Sequence, residues 1–214
     1  MRQTVAGGLV LAALLPLVGA GCVKRTEAKV DQPVAVNPAP IGKATGATVR
    51  DAINGASASG QAASGITRQM DKQAQELAFD LPGAIVQRLG GGIVITMPEG
   101  MLFAKDADEL TTASRDNLRR LATSVEKYPN TRLLIAGHTD TQGGTDRNLD
   151  LSTRRAQALG NFLEQLGVNR ARMTALGRGD AESIATNDTD AGRQWNRRIE
   201  IAIYADEATR FGSQ

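Results

Sequence analysis

A chain of 214 residues that is 41% apolar but only 3% aromatic must build its core from Leu, Ile, Val and Ala, and it offers little aromatic surface on which sugars or bases could stack. Its 25 basic and 23 acidic residues leave a formal charge of +2, which excludes the strongly basic footprint of a nucleic-acid binder. One cysteine and one histidine exclude an internal disulfide and supply too few ligands for a His/Cys zinc site.

In chain order, the first segment reads as a secretion signal. Arg2 is followed by an apolar run from Val5 to Val18 and the small residues Gly19-Ala20-Gly21 before Cys22. The run is shorter than the about 20 apolar residues that span a bilayer. The segment resembles a bacterial lipobox, although residue 19 is Gly where the pattern usually has Leu. The resemblance implies cleavage after Gly21, lipidation of Cys22 and, because Val23 is not Asp, an outer-membrane destination with the rest of the chain facing the periplasm. Two or more acyl chains give stable anchoring. The alternative, an inert cysteine in a leader, stays open.

Residues 22–46 include Pro33, Pro38 and Pro40 and little that could be buried, so they read as an extended linker, of which residues 23–44 would reach roughly 70 Å at ~3.1 Å per residue. Residues 47–82 carry a weak helical seam, Val49, Ile53, Ala56, Gly60, Ala63, Thr67, Met70, Ala74, Leu77 and Leu81, interrupted by glycines that each cost about 1 kcal/mol against Ala in a helix. Two readings compete: a small-residue face for close helix packing or self-association, and a frayed, partly helical spacer. The spacer is favoured, with Gln69–Leu81 its more helical half.

From residue 83 to 205 the pattern is that of a compact domain. Ile85–Leu89 and Ile93–Met97 flank Gly90-Gly91-Gly92 as a strand hairpin. Leu110–Tyr128 sets Leu118, Leu121, Ala122 and Val125 on one helical face before Pro129. Arg132–Ala136 is a buried strand, and Thr145–Leu166 a helix with Ala156, Leu159, Leu163 and Leu166 on its apolar side. Arg172–Leu176 and Ile199–Tyr204 complete the sheet, and residues 206–214 are a tail. The class is α+β: a mixed sheet of about four strands plus an N-terminal hairpin strand, with helices on one face.

The most informative window runs from Gly137-His138-Thr139-Asp140 to Leu151-Ser152-Thr153-Arg154-Arg155-Ala156. A strand end delivers an acid, a glycine turn follows, and a helix opens with Asn148, Ser152 and Arg155 on one side. Asp140 could receive an ammonium and the planar fork of Arg155 a carboxylate, which suits a zwitterion. A plain Asp140 ion pair with Arg154 or Arg155 on a solvated face fits the same spacing.

This window, with Gly177-Arg178-Gly179, Asn187 and Asn196-Arg197-Arg198-Ile199-Glu200-Ile201, resembles the OmpA-like domain of outer-membrane lipoproteins. The resemblance implies non-covalent binding of diaminopimelate-type peptidoglycan. Asp140 and Arg155 would hold the amino acid end of diaminopimelate, with Thr139, Asn148, Leu151 and Arg197 as neighbouring pocket residues. Asn196 could brace a loop or touch ligand, and Phe103 reads as core before site. A hydrolase would need groups that are missing here: His138 stands alone, and no pair of opposed carboxylates can be nominated. No enzyme activity, cofactor or metal is expected. The second reading is an envelope scaffold acting through protein partners of segment 49–81.

Overall fold

The structure, a computed structural model, describes residues 47–55, 61–206 and 209. The expected signal, Cys22 with its expected lipidation, the Pro-rich linker and most of the tail after Asp206 lie outside the described residues. The element order is α1 (Ala47–Gly55), α2 (Gln61–Asp80), β1 (Ile85–Leu89), β2 (Gly92–Pro98), α3 (Glu99–Leu102), α4 (Thr112–Lys127), β3 (Thr131–His138), α5 (Thr145–Gln165), a single 3-10 turn (Arg170–Arg172), β4 (Met173–Gly177), α6 (Asp190–Asn196) and β5 (Arg198–Ala205).

The five strands lie in the order β1-β2-β5-β3-β4. Antiparallel pairing joins β1 to β2, β2 to β5 and β5 to β3, while β3 and β4, linked through α5, run parallel. This is the α+β class with a mixed sheet and a hairpin strand at its edge. The alternation of side chains along a strand sorts the residues into two layers. Ile93, Ile95, Met97, Leu133, Ile135, Ile199, Ile201 and Ile203 face a core completed by Leu118, Leu121 and Val125 of α4 and Ala156, Leu159 and Leu163 of α5. Val94, Leu134, Ala136 and Ala202 face the other way.

Residues 47–82 depart from a spacer. Ile66, Met70, Ala74, Leu77 and Leu81, mostly members of the sequence seam, belong to the main core, so α2 is an integral helix beside α4 and β1 and the compact unit starts well before residue 83. The physical reason is burial. The cost of Gly65 in α2, about 1 kcal/mol, is outweighed by several apolar side chains at ~1.5–3 kcal/mol each. α1 covers the opposite face of the sheet, where Val49 and Ile53 are fully buried against Val94, Leu134, Ala136 and Ala202. α1 therefore lies on the face opposite α2, α4 and α5.

Two glycines let α5 sit directly on the sheet. A Cβ on Gly137 would lie 2.3 Å from the Ser152 carbonyl oxygen, and one on Gly177 2.2 Å from Thr153 Oγ1. The N-terminal half of α5 is thereby pressed against the ends of β3 and β4, where the polar window lies.

Candidate functional site

β3 ends at His138, and the chain delivers Thr139 and Asp140 just beyond it, both buried. The Thr139 N–H donates to Gly179 O at 2.9 Å, and the Gly179 N–H donates to Ser152 Oγ at 2.9 Å, so strand end, glycine loop and α5 are locked together. Asn148 Nδ2 donates to the Asp140 carbonyl at 3.1 Å, and the Gln142 N–H to Asp140 Oδ1 at 2.9 Å. The Asp140 side chain is thus fixed before any ligand arrives.

Thr139, Asp140, Asn148, Leu151, Arg155 and Arg197 all line one cavity of about 360 Å³, together with Glu99, Gln142, Arg147, Asp190 and Arg193. The residues singled out from sequence are therefore brought together. Their pairing differs from the simple ion pair that spacing allowed. Asp140 Oδ2 accepts from Arg197 Nη1 at 2.6 Å, not from Arg154 or Arg155. Arg154 turns outward to Asp108 at 2.6 Å and to Asp150. Arg155 pairs with Glu99, donates Nε to Ala107 O at 2.8 Å and holds its guanidinium over the Phe103 ring, 5.3 Å from the centroid. Phe103 is a core residue with its face turned to the site. Glu99 Oε2 also accepts from Arg197 Nε at 2.7 Å. Burial works against the charge of Arg197, but its hydrogen bond to Asp140 and the charge of Glu99 outweigh that and raise its pKa.

Glu99 is the residue that sequence reasoning missed. It opens a four-residue helix after β2, where no periodicity marks it, and its partners stand 56 and 98 residues away. Asn196 braces the loop: fully buried, its Oδ1 accepts from the N–H groups of Ile184 and Ala185 at 2.8 and 2.9 Å, and its Nδ2 donates to Ala185 O at 3.0 Å. It is not among the residues lining the cavity.

His138 points to the other face of the sheet. It is 1% exposed, with Nδ1 4.0 Å from Glu182 Oε2, and burial, reinforced by the charges of Arg198 and Arg178, holds its pKa well below the ordinary value. A buried neutral imidazole cut off from solvent is a poor general base for a ligand in the cavity. It has a consequence for stability. Below about pH 6.5 the unfolded chain takes up a proton that the folded chain refuses, so stability should fall with decreasing pH by up to ~1.4 kcal/mol per pH unit. Urea unfolding between pH 7.5 and 5.5 should show this slope in the wild type and lose it in His138→Gln. An equal slope in both would refute the assignment.

Among the described residues no helix is long and apolar enough to cross a membrane, and no group of three or more His, Cys, Asp or Glu side chains is placed to hold a metal ion.

Comparison with known proteins places the cavity-lining window within a region shared with other proteins. Residues 102–197 match the family model described as the OmpA family. The chain is similar to the probable lipoprotein YiaD of Escherichia coli, 34% identical over 141 residues that cover 65% of this chain and 64% of that protein. It is also similar to the peptidoglycan-binding protein ArfA of Mycobacterium tuberculosis, 34% identical over 58% of this chain and 36% of that one. It thus spans less than two thirds of either relative's length. Among solved structures, the cell wall anchor of the T6SS from Pseudomonas aeruginosa superposes with a TM-score of 0.53 at 29% identity, covering 66% of this chain and 97% of that one. Strand-end acid, glycine-seated helix and closing Asn-Arg-Arg strand all fall within or at the edge of the region, residues 102–197, that matches the OmpA family model.

Proposed function

We propose that this domain binds peptidoglycan non-covalently, gripping the free amino acid end of diaminopimelate in the stem peptide, while lipidated Cys22 holds the chain to the outer membrane. The observation that carries the reading is the placement of buried Asp140 and Arg155 on one polar cavity. Asp140 receives the ammonium and Arg155 the carboxylate through paired hydrogen bonds. Thr139 lines the same cavity, its Oγ1 buried and without a hydrogen-bond partner among the described residues, and Leu151 lines the methylene path. Relatives named as a peptidoglycan-binding protein, a wall anchor and a lipoprotein support the same reading. A domain confined near the wall by its tether stays attached through effective concentration even when the single site is weak.

In the scaffold reading of segment 49–81, Val49, Ile53, Ile66, Met70, Ala74, Leu77 and Leu81 are buried within this chain, which leaves Phe79, 86% exposed, as the large apolar side chain that could meet a partner among the segment's described residues.

The reading is tested with purified sacculi of two chemistries. Diaminopimelate-type sacculi should retain the protein in a pellet and lysine-type sacculi should not, because lysine lacks the second carboxylate for Arg155. Equal retention on both would defeat the assigned ligand.

A further inference from the structure

The cavity holds four alternating charges in a row, Arg155, Glu99, Arg197 and Asp140, each paired with the next. The two ends differ from the two middle members in how they are held. Arg155 and Asp140 have side chains only 3% and 6% exposed, against 11% for Glu99 and 33% for Arg197. Each end also has a second attachment. Arg155 keeps Ala107 O at 2.8 Å and the Phe103 ring, and Asp140 keeps the Gln142 N–H at 2.9 Å. The middle members bond each other and the ends, and a backbone bond of 2.9 Å from Glu99 N–H to Arg197 O holds them side by side.

We propose that Glu99 and Arg197 form an internal stand-in for the ligand: in the empty site the Glu99 carboxylate fills the place of the ligand carboxylate on Arg155, and the Arg197 guanidinium fills that of its ammonium on Asp140. The inference rests on the proposed ligand chemistry and adds a rule for selectivity. Entry of a zwitterion releases both bonds and replaces both, leaving Glu99 and Arg197 paired with each other. A ligand bearing only the ammonium displaces Arg197 from Asp140 but leaves Arg155 in the hands of Glu99, and gains nothing there. The stand-in also keeps the two buried end charges compensated while the site is empty, which an open cavity of the same residues would not do.

The test is Glu99→Gln in the full-length protein, titrated with a diaminopimelate-containing muropeptide and its lysine-containing counterpart. Where the self-paired site holds about nine molecules in ten, abolishing it tightens apparent affinity about tenfold. That gain is expected for the diaminopimelate peptide and absent for the lysine peptide. Unchanged or weaker binding of the diaminopimelate peptide would overturn the stand-in and make Glu99 a positioning residue for Arg155. A measurement on the wild type needs no variant: during titration the Arg197 Nη resonances should move as Nη1 leaves Asp140, while the Arg155 Nε–H, bonded to Ala107 O, stays protected, and Arg197 Nη signals unmoved at saturation overturn the inference. Arg155→Ala separates the two failures. If it binds like wild type, the site reading falls and the stand-in with it; if it loses binding while Glu99→Gln gains none, only the stand-in falls.

Discussion

Arg155→Ala is expected to weaken retention on diaminopimelate-type sacculi by about thirtyfold or more, and Asp140→Ala to do the same. Both charges are buried at the cavity wall, and truncating one partner of a buried, hydrogen-bonded charge pair costs about 2–5 kcal/mol, much of it from the group left unpaired. In the Arg155 variant the ligand carboxylate would enter a pocket still holding Glu99, so repulsion adds to the lost fork. In the Asp140 variant Arg197 would face the ligand ammonium with only Glu99 to offset it. The double variant should lose less than the sum of the two, because both act on one ligand. Co-sedimentation with purified sacculi, with circular dichroism confirming the fold, measures all three; a single variant that pellets like wild type removes that residue from the site.

Arg198→Ala should produce the largest loss of stability. Arg198 and Glu200 lie on β5 with side chains 1% and 8% exposed and a 2.7 Å ion pair. Arg198 also donates to the carbonyls of Asn196 at 3.2 Å and Glu182 at 3.1 Å. Removing one partner of such a pair leaves an uncompensated buried charge, a cost of about 3–5 kcal/mol, whereas replacing both with apolar residues of similar volume is often neutral. Arg198→Ala is thus expected to lower the melting temperature by roughly 10 °C, and Arg198→Met with Glu200→Leu to recover most of that. If the double variant is no more stable than the single one, the penalty comes from the loop carbonyls and not from the stranded carboxylate.

Strands and central helices were legible because each buries one face and so writes its period into the chain: Ile199, Ile201 and Ile203 alternate with Arg198, Glu200 and Ala202 in the structure as in the sequence. Asp140 and Arg155 were legible because one strand end and the next helix carry them within a single window. Glu99 was not, since an ion pair across 98 residues leaves no local pattern. α6 was missed although Thr189 marks its start by accepting from the Gly192 N–H at 3.1 Å; at seven residues it has too little length to show a period. The placement of α1 and α2 turned on tertiary burial overriding the weak helix propensity of a glycine-rich segment, and no local signal says which face of a sheet a helix will cover.

The seat of α1 has a mechanical consequence. Ile53 packs against Gly92, which pairs with Tyr204 at one end of the β2–β5 ladder, whereas Pro98 and Arg198 pair at the other end, next to the cavity. The ladder between them spans seven residue pairs, roughly 20 Å at ~3.3 Å per residue. Tension between the N-terminal side and an occupied cavity would run along the strands, loading their crosswise hydrogen bonds together in shear and not peeling them one by one. α1, held by the buried side chains of Val49 and Ile53, yields first. Unwinding its nine residues from ~1.5 Å to ~3.3 Å per residue releases roughly 15 Å of slack, so a sudden pull is spent on chain length before it reaches the end of the sheet that grips.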